Sequence, residues 1–392
     1  MGKLLAYVGI GDGPQGGGID VFEIAPDGSA ITKVEGAGVS PNPQYAGFLA
    51  LAKNKKVLYS VDERKDAGRN DKNPTCVYAY KIDEATGKLT FINKQPTLGC
   101  STASVCVAQD EDYIYTATHG KFDHVIKVVE TTDGKFVNQF VYDDACIGMY
   151  PIAEDGSIGE ACDCQVLTGH GNDPCPSPQA GGHSQANAHA HIVVVSPSGK
   201  WVALCDKAAE RVYIYKVVKG QIIMNSVYQC PWRVGPRHIA FDNNGHAFMT
   251  SEFSSEIWAF NFDDETGVLS FADKKSTVPA GNTKRNELAT VQVTDDGKFV
   301  YVNNRGVDTI VGYAIAADGT LTQVAEISVG ETPADPKDGV RDMQLLPGGK
   351  TLLVPVRPDM VVRAYAIGED GSLTPGAECP ATNPVFIQLC QL

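Results

Sequence analysis

The clearest hydrophobic pattern in the chain runs from Ala190 to Tyr215. An apolar run (HIVVVSP) meets a small polar turn (SPSG), and a second run (KWVALCD), a polar link (KAAE) and a third run (RVYIY) follow. Short runs rich in β-branched and aromatic residues, bounded by Gly, Pro, Ser and Asp, predict strands joined by tight turns. The unit recurs at Arg237–Phe260, Glu287–Tyr313 and Arg341–Tyr365. Its turn glycines, Gly199, Gly245, Gly297 and Gly349, fall 46, 52 and 52 residues apart. Each is followed 15 or 16 residues later by an aromatic: Tyr215, Phe260, Tyr313 or Tyr365. A fixed period near 50 with three short strands per copy predicts a propeller blade, a sheet that buries its faces only against its neighbours.

Two independent counts set the number of blades. Turns suited to joining a third strand to a fourth occur at Asp27-Gly28, Thr86-Gly87, Asp155-Gly156, Lys219-Gly220, Thr266-Gly267, Asp318-Gly319 and Asp370-Gly371, which makes seven. Glycine suits these sites because it takes positive φ without steric cost. Innermost strands are expected at Tyr45–Leu51, Ala103–Ala108, His189–Val195, Arg237–Phe241, Glu287–Val293, Arg341–Leu346 and Val385–Leu389, again seven. The last lies beyond the seventh turn, while the first strand, LLAYVGI, has no inner partner before it. The expected fold is therefore an all-β, seven-bladed propeller of four-stranded antiparallel blades, spanning 1–392 as one domain. The C-terminal strand closes the ring and leaves no free edge.

Three stretches interrupt the repeat. Blade two carries a polar insertion, DERKDAGRNDKNP, and blade three carries His119–Tyr142 between the strands YIYTATH and CIGMYPI. A loop rich in Gly, Pro, Ser and Asn, Cys162–Ala188, leads into His189 and His191; loops of this length in a compact ring are functional or mobile.

Charge and cysteine content narrow the setting. A net charge of −14 argues against a nucleic-acid partner or an anionic membrane surface. Eleven cysteines, an odd number, and an N-terminus without a long apolar run point to reduced thiols and a cytoplasmic protein. Ala6 stands where a myristoylation signal needs Ser or Thr. No motif bears on the oligomeric state.

Polar and charged residues stand where the repeat predicts buried strand ends. His191, Arg237, Glu287 and Arg341 open inner strands, and Glu252, Arg305 and Arg357 end second strands. In a propeller these positions face the mouth of the central channel. Several arginines with carboxylates and a histidine suit a small anionic substrate: guanidinium forks bind carboxylate or phosphate, and His or Glu moves a proton. The bland reading of each is structural, with arginines bridging blades, carboxylates pairing with them and His191 satisfied in the core.

No other motif competes. Cys162, Cys164, Cys175, His170, His183, His189 and His191 cluster in sequence, but C-x-C and H-x-H are not zinc spacings, so neither metal nor cofactor is expected. The early GIGDGPQGGG lies between two strands and reads as a turn, not a phosphate cradle.

The segments CIGMYPIAEDGSIGEA, HSQANAHAHIVVVSPSGKWVALCDKAAERVYIY, GPRHIAFDNNG and DGKFVYVNNRGVDTI resemble the seven-bladed propeller lactonases. That family includes propeller-type 6-phosphogluconolactonase and the fungal 3-carboxy-cis,cis-muconate lactonizing enzyme. The resemblance implies that His191, Arg237, Glu252 and Arg305 are catalytic. Glu287 matches a frequently acidic neighbour, and with His189, Arg341 and Arg357 it is assigned here to substrate binding. KAAERV and VPVRPDMVV depart from the family pattern, the latter by placing Arg357 where Asn-Gln is usual. Three functions follow: hydrolysis of an acidic or phosphorylated sugar lactone, cyclisation of a carboxymuconate, or a non-catalytic scaffold. The first two take a small anionic lactone or dicarboxylate.

Overall fold

The computed structural model describes residues 2–12, 16–64, 74–331, 333 and 335–392. Most of the blade-two insertion and the centre of GIGDGPQGGG lie outside the described residues. Seven four-stranded antiparallel sheets form the blades. Their inner strands touch in order around a central channel, from Pro384–Gln391 and Ala46–Ala52 onward until Gln344–Leu345 meets Pro384–Gln391 again. All seven turn glycines between third and fourth strands take φ between 66° and 86°.

Ring closure follows the expected route. Pro384–Gln391 pairs with Leu4–Ile10 in register from Leu4 opposite Gln391 to Ile10 opposite Pro384. Both strands are buried, so the pairing covers backbone donors and acceptors that would otherwise form two open edges.

The turns also stitch blades together. Tyr7, Tyr59 and Tyr301 each donate 2.9 Å hydrogen bonds to the turn carbonyls of Gly87, Gly156 and Gly371 in the next blade. Trp201 does the same through its indole N–H, to Asp264 O at 2.8 Å. At Gly267 glycine is needed for space as well as φ, since a Cβ there would sit 2.7 Å from the Trp201 ring. A small turn on one blade is thus the socket for a large aromatic on the blade before it.

Three segments differ from the sequence-based expectation. The stretch Cys162–Ala188, expected as a loop, supplies the fourth strand of blade three, Asp163–Val166, near its start. The seventh inner strand, expected over Arg341–Leu346, is paired only at Gln344–Leu345. Just before it, side chains take the backbone groups of Val340: Asn303 Nδ2 donates to Val340 O at 2.6 Å, and Val340 N donates to Asp308 at 2.8 Å. The blade-three insertion contains a two-stranded hairpin, His124–Glu130 with Phe136–Tyr142, that joins no blade.

Candidate functional site

A β-bulge recurs in the inner strands and aims side chains at the channel mouth. In blade four Ala190 faces Asp206 and Ile192 faces Cys205, so His191 is the extra residue. In blade five Pro236 faces Ser251 and His238 faces Thr250, so Arg237 is the extra one. A bulge bends its strand and re-aims the unpaired side chain. His191 and Arg237 are therefore the same position in successive blades.

A second position supplies most of the remaining chemistry. The residue closing the second strand is Glu63 in blade two, His119 in blade three, Lys207 in blade four, Glu252 in blade five and Arg305 in blade six. The first four donate backbone hydrogen bonds to Tyr45, Ser101, His189 and Gly235, and Arg305 faces Glu287. All five side chains line one cavity of about 990 Å³ at the channel mouth. Arg285, Glu287 and Arg341 also line it, as do Gly181, His183 and Ser184 from the long loop before blade four.

Glu252 is the centre of the charge network. Lys207 Nζ lies 2.9 Å from Glu252 Oε1, Arg237 Nε 2.8 Å from Oε2 and Arg305 3.8 Å from Oε2. The Arg237 approach is a charge contact rather than an aligned hydrogen bond, so its buried Nε and Nη1 keep no hydrogen-bond partner. Glu287 is held by Arg305, by Arg285 and by His183 at 3.1 Å. Burial by itself would raise both carboxyls, but Lys207, Arg237 and Arg305 at Glu252, and Arg305 with His183 at Glu287, outweigh it and hold both below the usual range. Burial, with Arg305 beside it, pushes Arg237 down to about 9.

The histidines behave oppositely. Burial, helped by Arg237 and Lys207, holds His191 well below 6.5 and therefore neutral, and its buried Nδ1 has no hydrogen-bond partner among the described residues. The ring itself lies on the cavity wall, where a neutral imidazole can take up a proton.

Three of the expected residues lie off the cavity wall. Arg237 is 3% exposed and lies behind Glu252, not on the cavity wall, because the carboxylate takes its guanidinium. His189 does not line the cavity either: it stacks on His119 with ring centroids 4.5 Å apart, and its Nδ1 bonds His119 O at 2.8 Å. Arg357 is not on the cavity wall but behind it, bonded to Asn383 at 2.7 Å and to the backbone O of Lys337 at 3.0 Å. Arg341 does line it, with Glu63 and Tyr45 as partners. Lys207, His119 and Glu63 were not singled out by sequence, although they share the repeat position of Glu252 and Arg305. Aligning all the blades on that position would have found them.

His183, Glu252 and Glu287 bring one ligand atom each within 4.8 Å of one another. The donor set does not suit a metal cation, because four cationic side chains already neutralise the two carboxylates. The cysteines of the long loop are dispersed: Cys175 packs on Ala180 and Phe253, and Cys164 lies beside Cys146.

Fold and site together define a seven-bladed propeller with a cavity at one channel mouth lined by both cationic and acidic side chains. The chain belongs to the family described as Lactonase, 7-bladed beta-propeller, which matches residues 5–389. It is 28% identical over 338 residues to the 6-phosphogluconolactonase of Bacillus subtilis strain 168, covering 86% of this chain and 85% of that one. A crystal structure of a Lactobacillus plantarum protein superposes with a TM-score of 0.80 at 24% identity over 100% of both chains. The periplasmic gluconolactonase of Pseudomonas aeruginosa superposes with a TM-score of 0.79 at 22% identity over 99% of both. At these identities the two structures speak to the fold alone.

Proposed function

We propose that the protein is a lactone hydrolase acting on an acidic or phosphorylated sugar lactone of the 6-phosphogluconolactone type. The observation that carries this reading is the juxtaposition, on the wall of one cavity, of a neutral His191 and the cations Lys207 and Arg305. The name of the Bacillus subtilis relative supports the same class.

His191 is the general base. It takes a proton from water as the water oxygen attacks the lactone carbonyl carbon. Arg305 and Lys207 face the negative charge that develops on the carbonyl oxygen. The tetrahedral intermediate collapses by breaking the bond from the acyl carbon to the ring oxygen, and the imidazolium returns its proton to that oxygen. The acid product then ionises to solvent. Glu252 is poorly suited to be the base, since three cations hold it ionised, but well suited to orient Lys207 and Arg305. Arg341 and Arg285 on the cavity wall match the substrate's anionic group. A volume of about 990 Å³ holds a six-carbon sugar phosphate with room for water.

The test is acid release at constant pH with 6-phosphogluconolactone, gluconolactone and simpler aldonolactones, beside the ultraviolet absorbance of a carboxymuconate. Hydrolysis that favours the phosphorylated lactone supports the reading. Muconate cyclisation without lactone hydrolysis, or inertness on every substrate, would overturn it.

A further inference from the structure

The blade-three hairpin is the least buried apolar structure in the molecule. Val125, Ile126, Val128, Phe136, Val137, Phe140 and Val141 are each between 38% and 72% exposed. Cross-strand pairing puts Ile126 and Phe140 on one face and Val125 and Val141 on the other, so both faces are apolar. With side chains of about 150 to 200 Å² each, the exposed apolar area is on the order of 600 Å². That is about as large as the largest apolar patch on a typical monomer, which is often functional, and a standard interface takes about 800 Å² from each partner. A two-stranded ribbon standing alone in water is also only marginally stable.

The strand Phe136–Tyr142 identifies what covers it. It reads FVNQFVY, with no charged side chain, on a hairpin whose Lys127 and Lys135 balance Glu130 and Asp133 in a protein of net charge −14. Natural edge strands are guarded by charge, and this one is not. Its pattern is also symmetric about Gln139. Laid antiparallel against itself, the strand sets Phe136 opposite Tyr142, Val137 opposite Val141, Asn138 opposite Phe140 and Gln139 opposite Gln139. Aromatic meets aromatic, valine meets valine, and no like charges meet. A second copy of this acidic chain is repelled over most of the surface but not here.

We propose that this hairpin is a dimerisation arm. Phe136–Tyr142 pairs antiparallel with the same strand of a second copy across a two-fold axis, making one four-stranded sheet from two hairpins. Isologous contacts of this kind require self-complementarity, which the register about Gln139 supplies.

Light scattering with sedimentation equilibrium tests it. The full chain should show twice its 41.8 kDa mass at micromolar concentration. Two charged double variants, Val137→Lys with Val141→Lys and Val137→Glu with Val141→Glu, place like charges opposite each other across the axis. Each alone should be monomeric, and an equimolar mixture should dimerise again through Lys–Glu pairs. A monomeric parent, a dimer that survives in both variants, or a mixture that stays monomeric would each overturn the proposal.

Discussion

Lys207 and Glu252 close the second strands of neighbouring blades, and their side chains meet at 2.9 Å with exposures of only 6% and 1%. Removing Lys207 leaves Glu252 with Arg237 and Arg305 alone, so the cost should fall below the about 3–5 kcal/mol of breaking an isolated buried pair. Lys207→Met is therefore expected to lower the melting temperature, and lactonase activity with it. The pH dependence carries the signature. Glu252 has a folded-state pKa below 4.5, so its stabilisation is present above about pH 4.5 and lost as pH falls through the folded value. In the variant that protection shrinks, and acid unfolding should begin at higher pH than in the parent. Identical acid unfolding curves would mean that Lys207 does not hold Glu252 ionised.

His191 should leave no inflection near 6.5 in the pH profile of kcat/KM, because burial keeps it neutral well below that value. Rates that halve as pH falls through 6.5 would place the base elsewhere. His191→Ala should cost roughly 10²–10⁴-fold in kcat with little loss of fold. The stability sign is separate. His119, His189, His191 and His238 are all held below 6.5 by burial, so the unfolded chain takes up protons first. Stability should decline as pH drops below about 6.5.

The arginines divide into two groups. Arg305 touches Glu287 and lines the cavity, and lysine cannot reproduce its planar fork. Arg305→Lys is expected to lose about 30- to 1000-fold in kcat/KM, equivalent to about 2–4 kcal/mol. Arg357 bonds Asn383 and a backbone carbonyl behind the cavity wall. Arg357→Ala should leave kcat/KM within a few-fold of the parent, and steady-state kinetics on one lactone compares the two.

Deleting Pro384–Leu392 removes the inner strand of blade one and exposes the Leu4–Ile10 edge along its length. The truncated chain should aggregate on expression. A soluble product with an unchanged melting temperature would contradict the ring-closure argument.

Much of the fold was legible in the chain because a propeller is a repeat, and a repeat writes its period into the sequence. Gly199, Gly245, Gly297 and Gly349 mark one turn type, and the seven Gly turns between third and fourth strands take the positive φ expected of them. Closure by Val385–Leu389 was likewise legible, because one unpaired strand stood at each end of the count. The strand ends carrying His191, Glu252, Glu287 and Arg305 could be placed at the channel mouth for the same reason.

Side-chain direction at those ends was not legible, because it depends on contacts between blades distant in sequence. A bulge makes both His191 and Arg237 extra residues, yet His191 lines the cavity while Glu252 takes the Arg237 guanidinium behind the wall. His189, two residues from His191, stacks on His119, seventy positions earlier. Lys207 and Arg357 share a repeat position, but one meets a carboxylate of the next blade while the other is drawn to Asn383 near the closing strand. Local pattern determined the strands, their number and which of their ends reach the mouth. Only the packed ring decided which charges meet there, since Lys207–Glu252, His183–Glu287 and Arg341–Glu63 each join different blades or loops.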